Sequence, residues 1–289
     1  MLSLSDSKKI ELELISNKIR QSIIEMLLEA GSGHTAGPLG MADIFTALYF
    51  HVMSHDPDNP EWEDRDRLVL SNGHITPVLY ATMAYAGYFD KKELMTLRKF
   101  SSKLQGHPHR EYLKALETSS GPLGSGLSQA VGMAIAGRMD RGREDGRHIY
   151  CLMSDGELNE GNSWEAIMLV GKEKLRNLIA IVDRNNIQID GYTEDVMPLE
   201  PLADKWKSFN WHVQEIDGHN FDEIIGAIGE AQAVGDSPSV ILARTIPGKG
   251  VSEFERKPEW HGKPPNEEEA KMALKELRSL GGKIKGDHE

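Results

Sequence analysis

The chain has 289 residues, 39% hydrophobic and 27% charged, the composition of an ordinary soluble globular protein able to bury one large core or two small ones. Its 33 basic and 45 acidic residues leave a net charge of −12, which argues against non-specific attachment to nucleic acid or to an anionic membrane surface. A single cysteine, Cys151, excludes an internal disulfide and a cysteine-clustered metal site. No apolar run approaches the roughly 18 residues of a membrane span, and Met1 to Asp6 lacks a secretory pattern, so a cytoplasmic location is expected.

Ile15, Ile19, Ile23, Met26 and Leu27 recur at helical spacing until Gly31-Ser32-Gly33 stops the pattern. After the loop Gly33 to Gly40, a second helix is predicted from Met41 to Met53, followed by a polar loop from Asp56 to Asp66. Arg67 to Leu70 is a short apolar run ending at Ser71-Asn72-Gly73-His74, and a helical pattern begins near Pro77. His148 to Met153, Leu178 to Asp183, Trp211 to Ile216 and Ser239 to Ala243 read as buried strands. Between them Glu160 to Lys174, Leu199 to Phe209 and Phe221 to Val234 read as helices. Lys249 to Asn266 is a second long loop, followed by a helix from Glu267 to Leu280 and a polar tail, 281–289.

Such alternation predicts an α/β fold, a doubly wound, mostly parallel sheet with helices on both faces. All of 1–289 then forms one domain, with 1–20 as an N-terminal helical extension. Sheets of this kind bind ligands beyond the carboxyl ends of their strands.

The most specific motif follows the strand containing Cys151: Ser154-Asp155-Gly156-Glu157-Leu158-Asn159-Glu160-Gly161. The next strand runs into Asp183-Arg184-Asn185-Asn186-Ile187, about thirty residues later, the length of one β-α-β crossover. Two neighbouring strand ends therefore deliver a carboxylate, Asp155, and an amide oxygen, Asn185. Hard oxygen ligands of that kind suit Mg²⁺ or Ca²⁺, with diphosphate oxygens and water completing the shell.

Histidine placement points to the same edge. Of 11 histidines, His34, His74, His107 and His219 directly follow glycine, which allows a sharp turn and a close ligand approach. His34, His74 and His107, with His261 in Trp260-His261-Gly262, lie in loops expected to gather there, whereas His219 reads as a turn or cap residue. Gly121-Pro122-Leu123-Gly124-Ser125-Gly126 opens a helix and would expose amide N–H groups to an anion.

Asp155-Gly156 followed after thirty residues by Asn185 is similar to the thiamine-diphosphate motif. The segments Gly33 to Gly40, Leu70 to His74, Gly106-His107-Pro108 and Gly121 to Gly126 resemble those of the transketolase family, in the family's order. The resemblance covers about Gln21 to Pro265, with one departure: Ser154 stands where the motif more often has glycine. It implies a diphosphate-binding domain that binds thiamine diphosphate. Asp155, Asn185 and the Ile187 carbonyl would hold Mg²⁺ or Ca²⁺. His34, His74, His107 and His261 would act on substrate. Gly121, Pro122, Leu123, Gly156, Glu160, Asn185 and Lys249, with His74 and His261, would lie against the cofactor or at the partner interface beside it.

In this family the carboxylate that activates the aminopyrimidine comes from a second, pyrimidine-binding domain, for which this chain has no counterpart. The resemblance therefore implies either a piece of a longer transketolase or, as the ending favours, the N-terminal subunit of a split one, transferring a two-carbon ketol unit from a ketose to an aldose. It would work with a C-terminal partner chain, most simply as an α2β2 heterotetramer. Two alternatives stay open: a deoxyxylulose-phosphate synthase-like enzyme, and a cofactor-binding subunit without catalysis.

Overall fold

The first apolar stripe folds as α1 (Asp6–Ala30), opened by Ser5, whose hydroxyl accepts the Lys8 N–H, and closed by Gly31 in the left-handed region at φ 61°. It is the start of a computed structural model that describes residues 4–142 and 146–286. The division expected at residue 20 falls inside this helix, where Leu12, Ser16 and Asn17 are already buried. Next, α2 (Ala36–Ala47) begins within the segment expected to be a loop, and all of its residues are buried. The pattern places the start at Met41 because Gly37, Pro38 and Gly40 read as loop residues, while the helix itself opens five residues earlier.

Then follow β1 (Arg67–Leu70), α3 (Thr76–Ala86), α4 (Ser125–Arg141), β2 (Ile149–Ser154), α5 (Gly161–Glu173) and β3 (Leu178–Arg184). A short hairpin of β4 (Ile187–Gln188) and β5 (Gly191–Tyr192) leads to α6 (Thr193–Val196) and α7 (Leu202–Ser208). The chain continues through β6 (His212–Asp217), α8 (Phe221–Ala233), β7 (Ser239–Arg244) and α9 (Glu267–Gly286). The five longer strands form one parallel sheet in the order β1-β2-β3-β7-β6.

Side chains alternate across this sheet, as the two-residue period of a strand requires. Tyr150 and Leu152 join Ile179, Ile181 and Ile241 in a core shared with α1, α2, α3, α8 and α9. Ile149, Cys151 and Met153 join Ala180, Val182 and Leu242 in a second core under α4, α5 and α7. Both faces are covered, so β2 and β3 are buried along their whole length and read in the sequence as continuous apolar runs.

One boundary needs correction. The tail expected from 281 is helical as far as Gly286, because α9 packs along α1 and continues past Gly281-Gly282. Asn17 donates to the Leu277 carbonyl at 3.1 Å, and Gly281 lies against the same side chain. That packing offsets the cost of about 1 kcal/mol for each glycine in a helix. Residues 287–289 lie outside the described residues.

Candidate active site

In-register pairing of Ser154 with Asp183, and of Asp183 with Ala243, ends three central strands at one edge. The segments that follow them, with the turn after β1, wall a cleft of about 340 Å³. His34, His74, His107 and His261 line it, together with Gly121, Leu123, Gly156 and Ile187. Gln188, Ile189 and Asp190 of the β4–β5 hairpin, which the sequence pattern does not reveal, also line it.

The histidines form a true cluster. Ring centroids lie 4.9 Å apart for His34 and His74, 5.6 Å for His34 and His261, and 5.3 Å for His74 and His261. Gly33 makes this approach possible: at φ 130°, a Cβ there would stand 2.6 Å from Leu27 Cδ2. Burial, joined by the like charge that His261, Arg98 and His107 would present, lowers His34 from 6.5 to about 4. Burial also pushes His74 well down, with His34, His261 and His107 adding to it, and lowers His107 and His261. The four rings are therefore neutral near pH 7, each with one donor and one acceptor nitrogen. Nδ1 of His34 and of His261 are buried with no hydrogen-bond partner among the described residues.

The oxygen donors stand just past the ends of β2 and β3; Asp155 and Asn185 do not themselves line the cleft, whereas their neighbours Gly156 and Ile187 do. Asp155 is fully buried and Asn185 nearly so. Asp155 Oδ1 accepts the Gly156 N–H at 2.7 Å, and Oδ2 accepts the Asn186 N–H at 2.7 Å. Arg184, the residue before Asn185, also donates to Asp155 Oδ2 at 2.9 Å and reaches Glu194 and Glu200 with its other nitrogen. Spacing alone does not show this ion pair. Asn185 is oriented from both ends: its nitrogen donates to Asp183 at 2.7 Å, and its oxygen accepts the Ile187 N–H at 2.9 Å. Asp183, buried beneath and bonded by Thr245, is pushed up to about 7, chiefly by desolvation.

Among the described residues there is no cluster of three or more His, Cys, Asp or Glu side chains fit to hold a metal. One carboxylate, one amide oxygen and a backbone carbonyl are instead a hard, mixed set, suited to Mg²⁺ or Ca²⁺ that also takes ligand oxygens.

Other expected residues sit differently. Pro122 is exposed and does not line the cleft. Glu160 occupies the cap position of α5, yet its exposed side chain makes no capping hydrogen bond. Lys249 is half-buried outside the cleft lining, in a loop tied to α2 by the Gly248 N–H donating to Ala36 O at 2.8 Å. His219 is more than a turn residue. Its Nδ1 lies 2.8 Å from Asp43, which Arg20 also holds, and its Nε2 accepts the Ile246 N–H.

Residues 12–281 match the family model described as "Transketolase, thiamine diphosphate binding domain". The chain is 45% identical to the 6-deoxy-6-sulfo-D-fructose transketolase subunit of Clostridium sp. (strain MSTE9), over 95% of this chain and 98% of that one. It is 40% identical to an apulose-4-phosphate transketolase subunit of Phocaeicola vulgatus, over 92% and 93%. It superposes on the transketolase of Campylobacter jejuni with a TM-score of 0.87 at 36% identity, covering 97% of this chain but 43% of that longer one.

Proposed function

The chain belongs to the transketolase family, as a thiamine diphosphate binding domain, and we propose that it is the N-terminal subunit of a two-chain transketolase. The observation that carries this reading is a cleft lined by a neutral imidazole cluster and by Gly156 and Ile187, the residues that directly follow Asp155 and closely follow Asn185 at the ends of β2 and β3. Two subunit relatives of nearly the same extent support it.

Thiamine diphosphate with its divalent ion, when bound, supplies a nucleophilic carbon and an electron sink for breaking a carbon–carbon bond. Asp155, Asn185 and the Ile187 carbonyl would hold the ion, and the glycine loop would face the diphosphate. His34, His74, His107 and His261, neutral and partly without partners, would bind the hydroxyls of a ketose and move protons at the bond that breaks. A two-carbon ketol unit would pass to an aldose. The relatives' names point to a donor with an anionic tail, sulfonate or phosphate.

A separate C-terminal chain would bring the pyrimidine-binding half. Exposed apolar side chains mark where it can dock: Ile189 at the cleft rim is 72% exposed, Met197 57% and Met168 on α5 53%. Glu160 lies at the start of the same helix as Met168. Closed two-fold symmetry would give an α2β2 tetramer with two sites. No helix among the described residues is long and apolar enough to cross a membrane.

The test is an assay of ketol transfer from ketose donors to an aldose, with both chains, cofactor and Mg²⁺ present. Transfer supports the reading; release of CO2 from pyruvate without ketose cleavage overturns it.

A further inference from the structure

Glu157 takes no part in the contacts described so far, yet it is a fully buried carboxylate in the wall of the cleft. No lysine or arginine pairs with it among the described residues. Its partners are neutral donors. The Ser71 hydroxyl donates to Oε1, the Gly124 N–H reaches the same oxygen at 2.5 Å, and the Ser154 N–H reaches Oε2 at 3.2 Å. Ser71 Oγ in turn accepts the Gly126 N–H at 3.0 Å. One carboxylate therefore joins the ends of β1 and β2 to two amides of the glycine loop, one directly and one through Ser71.

The loop is closed sterically as well. Gly124 has φ 80°, and a Cβ there would collide with Asn162; a Cβ at Gly126 would collide with Ser71. A buried carboxylate without a cation is costly to keep, and an apolar side chain would fill the space without that cost. Holding the Gly124 amide directly, and the first-turn amide of Gly126 on α4 through Ser71, is a role that suits a strong acceptor. Gly121 and Leu123, at the other end of the same loop, face the cleft.

We propose that Glu157 is a positioning residue for thiamine diphosphate, resting on the assignment of this cleft to that cofactor: it clamps Gly124 and Gly126 so that the Gly121–Leu123 backbone is set in place before the ligand arrives. The clamp acts through affinity. Without it, binding must first order the loop, and that ordering reduces the observed affinity.

The experiment measures thiamine diphosphate affinity of the two-chain assembly by calorimetry at saturating Mg²⁺, for the native protein, Glu157→Gln and Ser71→Ala. Hydrogen exchange is followed over residues 121–127. In the Gln variant the carboxamide must point its N–H₂ at one of the N–H donors, so the dissociation constant should rise about tenfold. Exchange should quicken in 121–127, and kcat at saturating cofactor should fall much less than affinity. Ser71→Ala, which keeps the carboxylate and cuts only the relay to Gly126, should weaken binding about threefold and serves if the Gln variant does not fold. A lower melting temperature with unchanged affinity and unchanged exchange in 121–127 would show a merely structural role and overturn the proposal. Loss of kcat at unchanged affinity would do the same. If the native assembly itself binds no thiamine diphosphate, the cofactor assignment fails, a result distinct from equal binding by native and variant.

Discussion

Asp155→Asn is the substitution that probes the oxygen-donor end most sharply, because it removes charge and leaves shape. Each carboxylate oxygen accepts one backbone N–H, from Gly156 on Oδ1 and from Asn186 on Oδ2. An amide has one acceptor oxygen, so whichever way the new side chain turns, one buried N–H meets another donor. That costs about 1–3 kcal/mol of folding stability. Arg184 does not become an orphan, since Glu194 and Glu200 still hold it. For the cofactor the loss is separate. A charged partner contributes about 1.5–3 kcal/mol, so metal-dependent affinity for thiamine diphosphate should drop roughly 10- to 100-fold. Urea denaturation of the isolated chain reads the first quantity, and calorimetry of the two-chain assembly in Mg²⁺ reads the second. An affinity within threefold of the native value would refute Asp155 as the charged metal ligand. Unchanged stability would refute the role given to its N–H partners.

His107→Ala should lower kcat about 10²-fold, the scale of a lost acid–base group, with the melting temperature nearly unchanged; a near-normal kcat at saturating ketose would contradict its role. The depressed imidazoles also fix the sign of a pH effect. Because His34 falls from 6.5 to about 4 on folding, the unfolded chain binds that proton first. Its contribution is therefore complete above pH 6.5 and is lost as pH falls toward 4, by up to about 3 kcal/mol. Native protein should lose more stability than His34→Gln between pH 7 and 4.5 in urea titrations, and equal losses would contradict the shift. Arg20→Met leaves the buried Asp43 without its guanidinium partner, with only the His219 ring still beside it, and should cost about 3–5 kcal/mol in the same assay. Glu160→Gln should weaken assembly with the partner chain, read by sedimentation, while leaving the stability of the isolated chain unchanged, because its side chain caps nothing.

What the sequence discloses here is what lies close along the chain. Asp155 and Asn185 are legible because a β-α-β unit has a fixed length, and the register of β2 with β3 then sets them side by side. His34, His74 and His107 are legible through the glycine before each, which marks a sharp turn, and all three line the cleft. Glu157 is not, since its meaning lies in Ser71 and Gly124, 86 and 33 residues away. In the linear motif it is one acidic residue among several. Arg184 is hidden similarly, 29 residues from the carboxylate it pairs with. His219 reads as a turn residue because its partner Asp43 is 176 residues distant. Only the first turn of α2 escapes, for a different reason: Gly37, Pro38 and Gly40 read as loop residues, so the pattern predicts the helix from Met41 on.

The central claim is that this chain provides half of a shared site. Continuous variation tests it most directly: total protein is held constant, the ratio of this chain to its C-terminal counterpart is varied, and ketol transfer is measured at saturating thiamine diphosphate and Mg²⁺. Activity should be absent with this chain alone and peak at equimolar chains. Full activity from this chain alone would contradict the claim and require a pyrimidine-activating carboxylate within its own 289 residues.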